Sequence, residues 1–359
     1  MFLALLIRLI YFLKDFSSYL VLIILSLLIL IFATFKIYKS GAEKKKKQML
    51  LASIFTLFAI ILIFTGFEAY FRYVYDVPDG LGYLKVNRKW HERHVIHNNY
   101  FFRDRDFVTN KKEGITRIAV LGDSIAFGGG IEKVEDRFSN RLEKKLREAG
   151  KNVEVYNLGK PGYDTEAEIV EYGKVEHLNF DIVVWEYFLN DIQPKDKSTG
   201  TPIISQNSQK GKIVTFLSDR SFFFDFVYWR FSQRYQKTFQ ALRIADLNQY
   251  KNQQVLEDHK RIIDDFAKDL EKENVKTFVI IFPSTFLLGP NYPANDIHKM
   301  MGEYFQELGL QTLDLLPDLI ELDRNKLMAS KFDPHPNEIV HNLAAQKLFE
   351  RINAYLSSP

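Results

Sequence analysis

Residues 117–130 read RIAVLGDSIAFGGG: a β-rich apolar run, then Gly-Asp-Ser, then a short apolar turn closed by three glycines. Such a run, broken by turn residues, predicts a buried strand that hands Ser124 to a strand-to-helix turn at its C-terminal edge. Four more runs of this kind follow: Val153 to Tyr156 (VEVY), Asp181 to Trp185 (DIVVW), Val275 to Phe282 (VKTFVIIF) and Gln311 to Leu315 (QTLDL). Between the first two, Phe138, Leu142 and Leu146 recur at helical spacing and Gly150 supplies a stop. Thr165 and Glu168 form a capping box that opens a helix through about His177. Leu348, Ile352 and Leu356 mark a final helix. Strands alternating with helices imply βαβ units, so the expected fold is α/β, a parallel sheet covered by helices on both faces.

Upstream, the chain is of another kind. Phe16 to Phe35 and Gln48 to Phe67 are each 20 residues without a charge, long enough to cross a hydrocarbon layer of about 30 Å. Residues 1–75 are therefore read as a two-span transmembrane hairpin, spans about 16–35 and 48–67. The length of the first run, the lack of a small-residue cleavage site after it and the second span argue against a cleaved signal peptide. The connection from Lys36 to Lys47 holds six lysines and one glutamate. That bias keeps the loop cytoplasmic and sends the rest of the chain outward, to the periplasm or the exterior of a plasma (inner) membrane; an inverted topology with a merely solvated lysine loop is the alternative.

The chain has 359 residues and no cysteine, which excludes disulfide scaffolds, thiol catalysis and cysteine-ligated metal centres. Residues 1–76 carry nine Lys and Arg against four acids, so a whole-chain charge of +3 leaves the remaining 283 residues near −2. That part lacks the basic footprint of a nucleic-acid binder. Residues 76–115, aromatic and charged without periodicity, read as a stalk or cap. Within them His91, His94 and His97 recur every third residue, but HERH is one residue short of the H-E-x-x-H spacing that sets two ligands on one helical face. A surface or packing role is expected, and no metal. A second interruption, about residues 193–253, begins polar and turns aromatic at SFFFDFVYWRF (221–231). It is read equally as a lid or lipid-touching surface and as a small helical subdomain buried around Phe222, Phe223, Phe224, Phe226, Tyr228, Trp229 and Phe231.

The glycines after Ser124 match neither a phosphate loop, which needs G-x-x-x-x-G-K-[ST], nor a dinucleotide fingerprint, G-x-G-x-x-G. A serine on a strand-to-helix turn suits a nucleophile instead. Serine needs an adjacent base that is itself oriented by a third group. FDPHPNEIVH, 332–341, supplies Asp333 and His335 on a loop before the last helix. Asp123 and Asp191 are read as turn-stabilising, His341 as a packing or capping residue, and Gly128 to Gly130 as a tight loop beside the site.

In these residues the chain resembles the SGNH or GDSL hydrolase superfamily over about residues 116–359. Gly122-Asp123-Ser124 resembles the family's nucleophile turn, NLGKPGYDT (157–165) its second block, FLND (188–191) its third and DPHPN (333–337) its last. The resemblance implies a three-layer α/β/α, flavodoxin-like domain with Ser124, His335 and Asp333 as the catalytic set. It also implies an oxyanion hole built from the Ser124 and Gly162 N–H groups and the Asn190 side-chain amide. Two departures stand out: Leu189 replaces the usual glycine before Asn190, and Asp333-x-His335 is one residue shorter than the common Asp-x-x-His. The orienting group of His335 is thus either Asp333 or a backbone carbonyl.

The function expected on these grounds is a membrane-anchored extracytoplasmic serine esterase that cleaves an acyl ester, such as an O-acetyl ester of a glycan or lipid, through an acyl-serine and without a cofactor. One alternative is acyl transfer to an envelope or exported glycan, fed by a multi-span acyl-donor membrane protein. Another is a non-catalytic envelope scaffold or glycan-binding module.

Overall fold

The computed structural model describes residues 2–192, 211–232 and 234–358, and divides them into two units. The polar start of the 193–253 insertion lies outside the described residues.

The smaller unit comprises residues up to Tyr75 together with residues 216–225. Helices α1 (Phe2–Lys39) and α2 (Lys44–Ala69) pack side by side, joined by the lysine-rich turn, and a π-helical turn, Tyr70–Val74, extends the second. Each is long and apolar enough to span a bilayer. Their faces are uncovered: Ile29 and Phe32 are 67% exposed and Phe55 71%. Polar contacts concentrate at one end. There Glu68 accepts hydrogen bonds from Ser221 Oγ (2.7 Å) and from the N–H groups of Phe222 and Phe223 (3.1 and 3.0 Å). Arg72 bridges Glu68 and Asp15 at 2.9 and 2.6 Å. The carboxylate satisfies N–H groups of a helix start that have no partner within the helix, which is how a distant segment of the insertion is tied to the hairpin.

The larger unit comprises residues 76–215 and 226–359. Residues 76–115 are built into it, with helix α3 (Lys85–His94) burying Trp90. Its sheet has five parallel strands, β1 (Thr116–Leu121), β2 (Val153–Asn157), β3 (Ile182–Tyr187), β4 (Lys276–Ile281) and β5 (Gln311–Asp314), in the order β2-β1-β3-β4-β5. That is the flavodoxin-like doubly wound order. Between them run α4 (Ser124–Phe127), α5 (Phe138–Glu148) and α6 (Thr165–Gly173). Then come α7 (Lys212–Arg220), α8 (Phe222–Phe231), α9 (Arg234–Gln249) and α10 (Gln253–Lys272). Helices α11 (Asn295–Glu307) and α12 (Leu316–Leu319), the hairpin of β6 (Met328–Ser330) and β7 (Asp333–Pro336), and α13 (Glu338–Ser357) complete the chain.

The strands read as continuous apolar runs because helices cover both faces. Ile118, Val120, Val183, Val184 and Ile280 are completely buried, each contributing roughly 1.5–3 kcal/mol. Helix α5 presents Phe138, Leu142 and Leu146 to this core, as their spacing requires. Helix α6 differs from expectation. Its cap is Asp164, whose Oδ1 accepts from Ala167 N at 3.0 Å, and the helix ends at Gly173. An acid one residue earlier displaces Thr165 as the cap because a carboxylate accepts more strongly beside the positive helix end. The insertion is split. Trp229 and Phe239 are 2% and 5% exposed and belong to the larger unit, whereas residues 216–225 group with the hairpin and Phe231 stays 81% exposed.

Candidate active site

The strand order reverses direction between β1 and β3, and ligands of open α/β sheets bind beyond the carboxyl ends of the strands at such a point. Ser124 follows β1 there, and Asn190 follows β3. Asp123 caps the first turn after β1: its Oδ1 accepts from Ile125 N at 2.7 Å. This bond fixes the turn that presents Ser124.

The hairpin β6–β7 carries the other half of the site. His335 Nε2 lies 2.7 Å from Ser124 Oγ. On the other side of the ring, Nδ1 hydrogen-bonds Asp333 Oδ1, which also accepts from the His335 N–H at 3.0 Å. Of the two candidate orienters, the carboxylate rather than a backbone carbonyl meets the ring. The short Asp-x-His spacing works because both residues lie on strand β7, where positions two apart share a face. Asp333 is buried. Burial pulls the His335 pKa down, but the charge of Asp333, its hydrogen bond and the charge of Asp123 together raise it above the usual imidazole value. Gly129 allows this approach: a Cβ there would stand 3.1 Å from the His335 ring and 3.2 Å from the Ser124 carbonyl. Gly130, at φ +80°, turns the same loop past Asp333.

Of the expected oxyanion groups, Asn190 contacts the same turn. Asn190 Nδ2 donates to Asp123 Oδ2 at 3.2 Å, and that oxygen is 3.3 Å from Ser124 Oγ. A primary amide carries two N–H bonds, so one is left for a substrate oxygen. Asp191 holds this loop by accepting from Phe188 N at 2.8 Å. Gly162 sits in the turn after β2 at φ +75°. Its loop is laid along the nucleophile turn, with Leu158 N bonding Val120 O at 2.8 Å and Lys160 N bonding Gly122 O at 3.2 Å. The N–H groups of Ser124 and Gly162 are unused among the described residues.

Several supporting groups escaped the sequence reading. Asn157 is a clamp: its amide donates to Ala126 O at 2.6 Å and to Ser139 Oγ at 2.7 Å, while its Oδ1 accepts from Gly159 N at 2.9 Å. Arg103, from the 76–115 segment, is buried and donates to Gly128 O (2.7 Å), Ile131 O (2.6 Å) and His94 O (2.8 Å). Burial and neighbouring Arg137 lower its pKa to about 9. The three histidines of that segment form no metal cluster among the described residues; His91 and His94 pack on Trp90. Behind the nucleophile turn, Glu186 on β3 is fully buried and its Oε2 accepts from Asp123 N at 3.1 Å. Burial, then the charges of Asp123 and Glu168, raise its pKa well above the usual carboxylate value. The only sequence signal was a lone acid inside an otherwise apolar strand. His341 is buried and packs on Phe138, whose N–H it accepts at 3.1 Å through Nδ1.

No protein-family model matches the chain, and no curated protein matches it. Among solved structures it is similar to the lipase/acylhydrolase from Enterococcus faecalis (15% identity, 67% of this chain, 96% of that one, TM-score 0.41). The psychrotrophic esterase EstA from Pseudoalteromonas sp. compares at 14% identity over 68% of this chain and all of its own, with TM-score 0.39. The acetyl xylan esterase AlAXEase compares at 16% identity over 66% of this chain and 99% of its own, with TM-score 0.41. Likenesses this low say nothing about chemistry, which rests on the residues above. By its own strand order the larger unit has a doubly wound, flavodoxin-like α/β fold, with its four sequence blocks placed around the carboxyl ends of the strands.

Proposed function

We propose that this chain is a serine esterase, held at a membrane by its N-terminal hairpin, that cleaves an acyl ester through an acyl-serine intermediate. The observation that carries the reading is the relay Ser124 Oγ to His335 Nε2 at 2.7 Å, with Asp333 on the far side of the ring. His335 accepts the Ser124 proton as Oγ attacks the ester carbonyl, and Asp333 fixes the tautomer and stabilises the imidazolium. Charge develops on the carbonyl oxygen, where the Ser124 and Gly162 N–H groups and the Asn190 amide supply the donors. Each such donor typically accounts for 10²–10³ in rate. The tetrahedral species collapses, the alcohol leaves with the proton from His335, and water, activated by the same histidine, releases the acid and restores Ser124. No metal or cofactor takes part in these steps.

The uncovered apolar faces of α1 and α2 support membrane anchoring. The six lysines between the spans support a cytoplasmic loop and an outward-facing larger unit. The test is fluorophosphonate labelling of the full chain in detergent, compared with Ser124→Ala and His335→Ala. Labelling confined to the wild type is the expected result; a folded wild-type protein that takes no label overturns the reading.

A further inference from the structure

The esterase reading leaves one partly buried cation beside the site unassigned. Arg243, on α9, lines a cavity of about 70 Å³ together with His335, Phe188, Phe239, Thr285 and Phe286. Its side chain is only 15% exposed, and its guanidinium lies against the Phe188 ring, 5.1 Å from the centroid. Asp246, itself fully buried, is 3.0 Å away, but the angle forms no hydrogen bond. Among the described residues the Nη1 of Arg243 is buried and makes no hydrogen bond. A guanidinium offers five N–H donors in a rigid fork, and each buried donor left unmade costs about 1–3 kcal/mol. A site that retains such a group next to a candidate general base is built to receive an anion.

Resting on that esterase reading, we propose that Arg243 is a specificity-determining residue that binds a carboxylate of the substrate, so that the enzyme prefers esters bearing a carboxylate within a few atoms of the scissile carbonyl. Charge and size choose the ligand. One guanidinium whose charge Asp246 already offsets in part suits a singly charged carboxylate, matched to the fork by its two oxygens, better than a phosphate dianion. The cavity is far smaller than the roughly 300–1,000 Å³ of pockets for drug-sized ligands, which suits a short acidic group and not a long acyl chain. Arg243 also acts on His335 through its charge, which opposes the upward pull of Asp333 and Asp123. A bound carboxylate neutralises that charge and favours the protonated histidine that must donate to the leaving alcohol.

The test uses the full chain in detergent and two ester pairs. 4-Nitrophenyl acetate against 4-nitrophenyl hemisuccinate places the carboxylate on the acyl side; phenyl acetate against 4-acetoxybenzoate places it on the alcohol side. In the wild type the charged member of at least one pair has the higher kcat/KM. In Arg243→Gln the charged-to-neutral ratio falls by about 10–100-fold, the range expected for one charge-assisted contact, and Arg243→Lys falls in between. The acid limb of the pH profile for the neutral ester moves upward in Arg243→Gln, because the charge that opposed His335 protonation is gone. A residue that only packed α9 would lower both members of a pair alike. Ratios unchanged by Arg243→Gln, with the neutral esters still hydrolysed, overturn the carboxylate subsite and leave the esterase reading standing. A wild type that cleaves no ester and takes no fluorophosphonate label overturns both.

Discussion

The hairpin and the sheet are made of the same residue types and solve opposite problems. In α1 and α2 many of the described apolar side chains, Ile29, Phe32 and Phe55 among them, are more than half exposed. In β1, β3 and β4 equivalent side chains have no exposed surface, because helices lie on both faces. Run length separates the two cases: 20 uncharged residues outlast any strand of this sheet, whereas runs of four to eight broken by turns do not. Polar groups divide in the same way. At the end of the hairpin Glu68, Arg72 and Asp15 form one compact network, while beneath the sheet edge Asp123, Glu186, Asp191 and Asn157 build the turn that carries Ser124.

The comparison breaks most sharply at the site. Ser124→Ala and His335→Ala are each expected to lower ester hydrolysis by at least about 10⁴-fold, as in other serine relays, with thermal unfolding of the larger unit essentially unchanged. Loss of unfolding cooperativity in Ser124→Ala would mean that the serine serves the fold.

The next largest effect compares one substitution in both regions. Ile118→Ala in β1 removes a fully buried side chain and should cost about 2–5 kcal/mol, read by chemical denaturation. Ile29→Ala, 67% exposed in α1, should leave that transition unmoved. Ile29→Lys should instead reduce the membrane-bound fraction, since a lysine at the centre of a span costs about 2.5–3.5 kcal/mol on insertion scales. If Ile29→Lys stays fully membrane-bound while the larger unit unfolds, the division of labour is wrong.

Glu186 gives a finer test. Glu186→Gln keeps an acceptor for Asp123 N and should be tolerated, whereas Glu186→Ala leaves that N–H without its acceptor and should cost about 1–3 kcal/mol. Equal damage from both variants would show that the charged carboxylate is what the turn needs.

The smallest effect is in pH. His335 must be neutral to take the Ser124 proton, so activity falls as pH drops through its pKa, which lies above the usual 6.5. Asp333→Asn removes the main upward cause and should move the acid limb of kcat/KM to lower pH. Stability runs separately. Burial holds His341 at about 3 and His259 at about 4, below the 6.5 of an unfolded histidine. The unfolded chain therefore binds more protons over that interval, and stability falls as pH is lowered from about 6.5 toward 3, by up to 1.4 kcal/mol per pH unit for each histidine. His341→Gln should flatten part of that slope.

Much of this was readable along the chain. The five strands follow from local composition, because a buried parallel strand is a short β-rich apolar run, and the Phe138, Leu142, Leu146 face follows from helical period. Ser124, Asn190 and His335 stand out in the sequence because each lies in a short motif at the end of an element. Asn157 lies in such a motif too, but its role as a clamp depends on Ala126 and Ser139, which are far off in sequence. Thr165 was misread as a cap because Asp164 and Thr165 are both good caps, and only backbone geometry chooses between them.

The sequence by itself determined the division into an apolar hairpin and an α/β unit, the strand and helix order, and the residue types at the site. Those properties depend on length, period and short-range chemistry, which a linear chain carries openly. Only the tertiary structure decided that Asp333 and not a carbonyl meets His335, that Arg103 braces the glycine loop, that Glu186 is buried behind the nucleophile turn, and that Arg243 reaches the cavity beside His335 from a helix of the insertion. Each of those depends on which groups are brought together from distant positions and how far water is excluded from them, and neither distance in space nor desolvation is written in local sequence.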